Sequence, residues 1–186
     1  MAQSGYTVFA IDMYGKGIRP QTNKEAGELS GSFKSNRPLM RSRAQAGLNF
    51  MTTLPRVDSK HIVAAGFCFG GGTALELARS GASLTGVVSF HGNLDTPTPE
   101  DAKNIKGKVL ILHGADDPFV TSKQVVAFQD EMRAAKLDWQ LIYFGNAVHA
   151  FSDPNAGNHP ESGAAYNELA AKRAMNNFQL FLSDLK

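Results

Sequence analysis

The chain has 186 residues, 42% of them hydrophobic, a formal net charge of +2 and one cysteine. That length suits one domain, here read as residues 1–186, and the composition excludes a disordered or fibrous protein. The charge is too small to imply a nucleic-acid partner, and a lone cysteine excludes a disulfide framework, so a reducing cytoplasm is the expected location.

In chain order, the first apolar run is Tyr6 to Ile11, YTVFAI, expected as a strand. No basic region followed by an apolar core precedes it, so no signal peptide is read, and no apolar run is long enough to span a bilayer. The stretch 15–37, rich in Gly, Lys, Asn and Ser, is expected to hold little regular structure. A helix is predicted over Pro38–Met51, with Asn36 as cap and Met40, Ala44, Leu48 and Met51 on one face. Arg37, Arg41 and Arg43 at its start are read as a solvated face.

Four further strands follow: Ile62 to Ala65, Leu84 to Phe90, Val109 to Leu112 and Trp139 to Phe144. These runs are continuous rather than alternating, as expected where both faces are covered. Helices are predicted just after Gly70–Gly72, from Thr121 or Ser122, and over about 164–185, with turn chemistry at 153–163. Strand alternating with helix specifies an α/β fold with a mostly parallel sheet and helices on both faces.

The motif that carries chemistry is GFCFGG, residues 66 to 71. A strand entering a helix through G-x-nucleophile-x-G forms a sharp corner, and small neighbours are needed because strand and helix approach closely. Gly66 and Gly70 hold the two critical positions, Gly71 and Gly72 ease entry to the helix, and Cys68 stands in the nucleophile place. A thiol there feels the positive end of the helix dipole, and the N–H of Phe69 is a natural oxyanion donor. A lone cysteine is also a common inert core residue, so the partners decide the reading. The strand 109–112 runs into Asp116 and Asp117, and the strand 139–144 runs into His149. Cys68, an acid and then a histidine, each just after a strand, follow the order of an elbow-type catalytic triad. The spacing G-x-x-D-x-x-V from Gly114 to Val120 selects Asp117 over Asp116. His61 is read as a surface residue and His159 as a residue of the turn-rich loop with no function, while His91 and His113, at strand ends on the same side, line the pocket or satisfy loop backbone. No spacing resembles a closed metal site, and no cofactor is called for.

On the pieces GYTVFAIDMYGKG, GFCFGGG, VVSFHG, VLILHGADDPFV and NAVHAF, the chain resembles the dienelactone hydrolase family of α/β-hydrolases. The resemblance implies an α/β-hydrolase fold and metal-free hydrolysis of small-molecule esters or lactones through an acyl-thioester. In it Cys68 is the nucleophile, His149 the base and acid, and Asp117 the orienting acid. Family arginines that hold an anionic substrate have no counterpart here: the first place carries Lys16, and Ala150, Phe151, Ser152 and Asp153 follow His149. A neutral substrate is therefore expected, with Tyr14, Phe67, Phe119 and Phe151 as candidate pocket residues that are equally suited to the core. The family pattern also implies that the fold is N-terminally truncated, lacking strands that precede YTVFAI and a second oxyanion donor. A longer natural chain, self-association or a second chain would complete the sheet, or YTVFAI would pair directly with the elbow strand. A noncatalytic ligand- or partner-binding module and a redox-sensing thiol remain the alternatives.

Overall fold

A computed structural model describes residues 5–185 of the protein, which divide into two compact units, Met1–Ser59 and Lys60–Lys186. The first unit contains two helices, α1 (Asn23–Lys34) and α2 (Arg37–Met51). α2 starts as expected: the Asn36 side chain accepts the Leu39 N–H, and Pro38 sits in the first turn, where its missing N–H costs nothing. α1 corrects the reading of 15–37 as irregular. Its N-terminus is fixed by the Thr22 hydroxyl, which accepts the Glu25 N–H, while the Glu25 carboxylate accepts the Gln21 N–H.

YTVFAI forms no strand; 6–11 joins no β-ladder among the described residues. Apolar side chains alone do not make a strand, which also needs a neighbouring backbone to take its N–H and C=O groups. The end of this segment lies on α2 instead. A Cβ on Gly47 would come within 2.7 Å of the Ile11 side chain, so that glycine is what admits the contact. The basic cluster is not simply a solvated face. Arg37 is buried, and Arg43 lies over the Phe33 ring at 5.2 Å and donates to the Met13 carbonyl.

The second unit is built on four parallel strands, β1 (Val63–Phe67), β2 (Gly86–Phe90), β3 (Lys108–Gly114) and β4 (Trp139–Phe144), in the order β1-β2-β3-β4. The register pairs Phe67 with Phe90, Phe90 with Leu112 and Leu112 with Ile142. β2 and most of β3 are buried throughout, matching their continuous apolar runs. Three helices follow: α3 (Phe69–Arg79), α4 (Ser122–Ala134) and α5 (Glu168–Ser183). Strand order that follows sequence, with right-handed crossovers, puts α3 and α4 on one face. Their adjacency is marked by Arg79 of α3, which donates to Glu76 and to both carboxylate oxygens of Glu131 on α4, all three side chains being buried. α5 covers the opposite face, where Phe178 meets Phe90 edge-on at 5.5 Å and Phe181 packs against Gly86. Among the described residues no helix is long and apolar enough to cross a membrane.

Candidate active site

All four strands end on the same side, as parallel strands must, so the loops after them form one edge. Cys68 follows β1, His91 follows β2, Asp117 lies in the loop after β3, and His149 lies in the loop after β4.

The corner at Cys68 is tight enough to explain its glycines. Cys68 has φ +50° and ψ −119°, a conformation that L-residues with side chains rarely adopt. It persists because the surroundings fix it: Cys68 N–H donates to the Phe90 carbonyl, and its own carbonyl accepts from Gly71 and Gly72 as the first turn of α3. A Cβ on Gly66 would lie 2.1 Å from the Gly70 carbonyl group, and one on Gly71 would lie 2.4 Å from the Ser89 hydroxyl. A Cβ on Gly70 would meet nothing within 4 Å. The expected pair of critical glycines, Gly66 and Gly70, is therefore corrected to Gly66 and Gly71. Gly70 matters for where its backbone runs, not for a missing side chain.

The corner leaves Cys68 exposed, its Sγ 3.1 Å from His149 Nε2. His149 Nδ1 lies 2.8 Å from Asp117 Oδ2. A carboxylate can only accept, so Nδ1 carries the proton and Nε2 faces the sulfur. The other Asp117 oxygen accepts the N–H groups of Phe119 at 2.8 Å and Val120 at 3.3 Å, which aims the carboxylate at the ring. His149 is itself pinned by backbone bonds to 163–165, forming an isolated parallel bridge with Ala164. Asp116 is exposed, its N–H held by the Ala147 carbonyl, and makes no contact with this row.

Electrostatics follow from these bonds. Burial works against the charged form of His149, but the Asp117 hydrogen bond and then the Cys68 sulfur outweigh it, and the imidazolium is pushed up to about 9. Burial also opposes the Asp117 carboxylate, yet the His149 hydrogen bond and charge hold it below the usual carboxylate range. His91 moves the opposite way: burial first, then the neighbouring His149 charge, drive it down to about 4.

A cavity of about 480 Å³ opens over the sulfur, its wall including Phe67, Cys68, His91, His149, Ser152 and Asp153. Phe67 is half-exposed at the end of β1, stacked on Phe90 at 4.5 Å. Phe119 is exposed and stands edge-on to the His149 ring at 5.3 Å. Phe151 is a correction: it is fully buried between His91 and Phe144 and belongs to the core rather than the pocket. Tyr14 belongs to the Met1–Ser59 unit, where its ring meets Phe33 at 5.9 Å. Phe69 is the first residue of α3, so its N–H lies in the turn whose donors have no intrahelical acceptor. His113 is buried against Tyr143, while His61 is exposed and His159 is exposed beside Glu161. Ser152 was not singled out from the sequence; its place directly after a buried Phe151, beside His91, is a tertiary fact. Among the described residues no cluster of His, Cys, Asp and Glu is arranged to hold a metal ion.

A parallel sheet whose first crossover begins with a positive-φ residue at a glycine corner defines the protein as an α/β-hydrolase. The chain belongs to the dienelactone hydrolase family, whose model matches residues 1–185, and it is a hydrolase. It is 42% identical to the solved structure of a dienelactone hydrolase-like promiscuous phosphotriesterase from metagenomic libraries, covering 99% of this chain and 77% of that one with a TM-score of 0.90. It is 34% identical over 150 residues to an uncharacterised protein of Caenorhabditis elegans, covering 78% of this chain and 93% of that protein. A Bradyrhizobium protein bearing the name "Probable 2-oxo-3-(5-oxofuran-2-ylidene)propanoate lactonase" is 25% identical, covering 98% of this chain and 74% of its own length.

Proposed function

We propose that the protein hydrolyses uncharged carboxylic esters or lactones by covalent catalysis at Cys68. The observation that carries this reading is the row Cys68 Sγ–His149 Nε2–Asp117 Oδ2, 3.1 Å and 2.8 Å, at the mouth of a cavity. Sulfur attacks the substrate carbonyl as a thiolate, with its proton held on His149, and the carbonyl pair moves onto oxygen. The N–H of Phe69 supports that oxyanion. Collapse expels the alkoxide, which takes the Nε2 proton, and leaves an acyl-thioester on Cys68. Neutral His149 then removes a proton from water as it attacks the thioester. The second collapse releases the acid and restores the thiolate–imidazolium pair. Asp117 is a positioning residue here: it fixes the Nδ1–H tautomer and stabilises the imidazolium.

The choice of an uncharged substrate rests on the cavity wall. Asp153 stands there, and neither lysine nor arginine does among the described residues; the His149 imidazolium is paired with the Cys68 thiolate, so a carboxylate substrate meets repulsion from Asp153 without an unpaired cation to offset it. The related phosphotriesterase extends the proposal to uncharged phosphotriesters as a second electrophile for the same sulfur. The test is turnover of 4-nitrophenyl acetate by wild type and Cys68→Ala, with intact-mass trapping of the acyl-enzyme. Burst kinetics and an acetyl adduct on the Cys68 peptide are expected, both absent in Cys68→Ala; equal turnover by the two proteins overturns the proposal.

A further inference from the structure

Four strands deliver four residues to the edge of the site, and three of them form the row described above. The fourth, His91, is 3% exposed and takes φ +39°, a left-handed conformation that non-glycine residues seldom adopt. The turn around it is closely packed: a Cβ on Gly92 would lie 2.8 Å from the Gly71 Cα and 2.3 Å from the Ser89 hydroxyl. The His91 ring stands edge-on to His149 at 5.2 Å and to Phe151 at 5.1 Å, and it forms part of the cavity wall with Cys68.

Burial and the adjacent imidazolium keep His91 neutral at pH 7, so it carries one ring proton. Its nitrogens differ. Nε2 lies 2.8 Å from Ser152 Oγ, whereas Nδ1 is buried with no hydrogen-bond partner among the described residues. A buried N–H without an acceptor is a rarer and costlier defect than an acceptor with an idle lone pair. The proton therefore sits on Nε2, and Nε2–H donates to Ser152 Oγ. Ser152 has no other hydrogen-bond partner among the described residues. Its oxygen accepts from a fixed ring, its own O–H remains to be given, and the residue lines the cavity.

We propose that Ser152, held by His91, is a substrate-recognition donor: its hydroxyl takes an uncharged oxygen acceptor on the acyl or alcohol part of a substrate seated over Cys68. Hydrolysis of the esters used below is the reading given under Proposed function, and this inference rests on it for its substrate class. The neighbouring Asp153 complements the choice, since a donor beside a carboxylate favours an ether, ester or keto oxygen over an anion. His91 acts only through Ser152 and is a positioning residue.

The experiment compares oxygen-bearing esters with shape-matched alkyl esters: 4-nitrophenyl methoxyacetate against 4-nitrophenyl butyrate, and 2-methoxyethyl acetate against butyl acetate. The ratio of kcat/KM within a pair is measured for wild type and variants, so intrinsic reactivity cancels. Ser152→Ala is expected to lower the ratio about fivefold in at least one pair, the worth of one neutral hydrogen bond. Ser152→Thr, which keeps the hydroxyl, preserves it. His91→Phe lowers it in the same direction, and the double variant falls no further than Ser152→Ala, because the two residues act as one device. A ratio that Ser152→Ala leaves unchanged in both pairs overturns the inference. If wild type hydrolyses none of the four esters, the hydrolase reading fails separately. The inference is then decided by alkylation of Cys68 with iodoacetamide against 1-iodopropane: a ratio lowered by Ser152→Ala supports it and an unchanged ratio overturns it.

Discussion

Replacing Asp117 with asparagine tests the electrostatic core of the proposed mechanism. The substitution keeps the shape, and one asparagine oxygen can still accept the Phe119 N–H that Asp117 accepts at 2.8 Å. What changes is the group facing His149 Nδ1: an amide NH2 there cannot accept, so Nδ1 must become the acceptor and the ring proton moves to Nε2, toward the sulfur. The wild-type imidazolium is pushed up to about 9 from an ordinary 6.5, with the Asp117 hydrogen bond the largest upward cause and burial the opposing one. Without that bond and charge only the Cys68 sulfur opposes burial, and His149 should titrate clearly below its wild-type value. Each pH unit lost is about 1.4 kcal/mol of imidazolium stabilisation. Histidine 15N chemical shifts against pH read this directly: a midpoint near 9 in wild type and a lower one, by about a unit or more, in Asp117→Asn. The kcat/KM for 4-nitrophenyl acetate should fall by about 10²–10⁴, as expected for a base held in the wrong tautomer. A purely structural role for Asp117 would lower activity without moving the His149 midpoint. A variant whose His149 still titrates near 9 refutes the reasoning.

Gly66→Ala places a methyl 2.1 Å from the Gly70 carbonyl, so it should cost on the order of 3 kcal/mol in urea unfolding and disorganise the corner that presents the thiol; wild-type stability in that variant would contradict the packing argument. Arg79→Met leaves the Glu76 and Glu131 carboxylates buried without their cation. A loss of about 3–5 kcal/mol is expected at neutral pH, shrinking as acid protonates Glu131, whose carboxyl burial already raises. His91 titrates at about 4 when folded and 6.5 when free, so its contribution to stability is complete above 6.5 and is lost as pH falls toward 4. About 3 kcal/mol is at stake; urea midpoints from pH 7 to 4 should fall more steeply in wild type than in His91→Gln. His149 adds nothing to that slope, because a value raised to about 9 places its own loss above pH 6.5.

What could be read from the sequence was local. The corner at 66–71 declares itself because its demand for small residues comes from atoms a few positions away, as the 2.1 Å approach between Gly66 and Gly70 shows. Asp117 and His149 are legible for a related reason: each sits in the loop directly after a strand whose apolar run is plain in the sequence. α1 was hidden by weak patterning, since NKEAGELSGSFK contains two glycines and buries Phe33 alone. Thr22 and Glu25, three apart, were the signal that could have found it. YTVFAI misleads for the converse reason, because its composition suits a strand while its ladder partner is a matter of tertiary structure. Phe67 and Phe151 are chemically identical and separated only by burial: one caps the exposed end of β1, the other is wedged between His91 and Phe144.

The two histidines at the site show why a buried pair need not behave alike. Their rings are 5.2 Å apart, close enough that both cannot comfortably be charged. Only His149 has a carboxylate at 2.8 Å and a sulfur at 3.1 Å to support a proton; His91 has a hydroxyl and a buried, unpartnered nitrogen. The proton therefore stays on His149, where the proposed mechanism hands it to the leaving group, and burial, with the His149 charge second, keeps His91 a neutral donor for Ser152. Strong separation of two neighbouring titrations is how one site holds an acid–base residue and an uncharged recognition element side by side. In the proposed scheme the elbow supplies the nucleophile, Asp117 fixes which histidine is charged, and that charge adds to the burial that keeps His91 neutral.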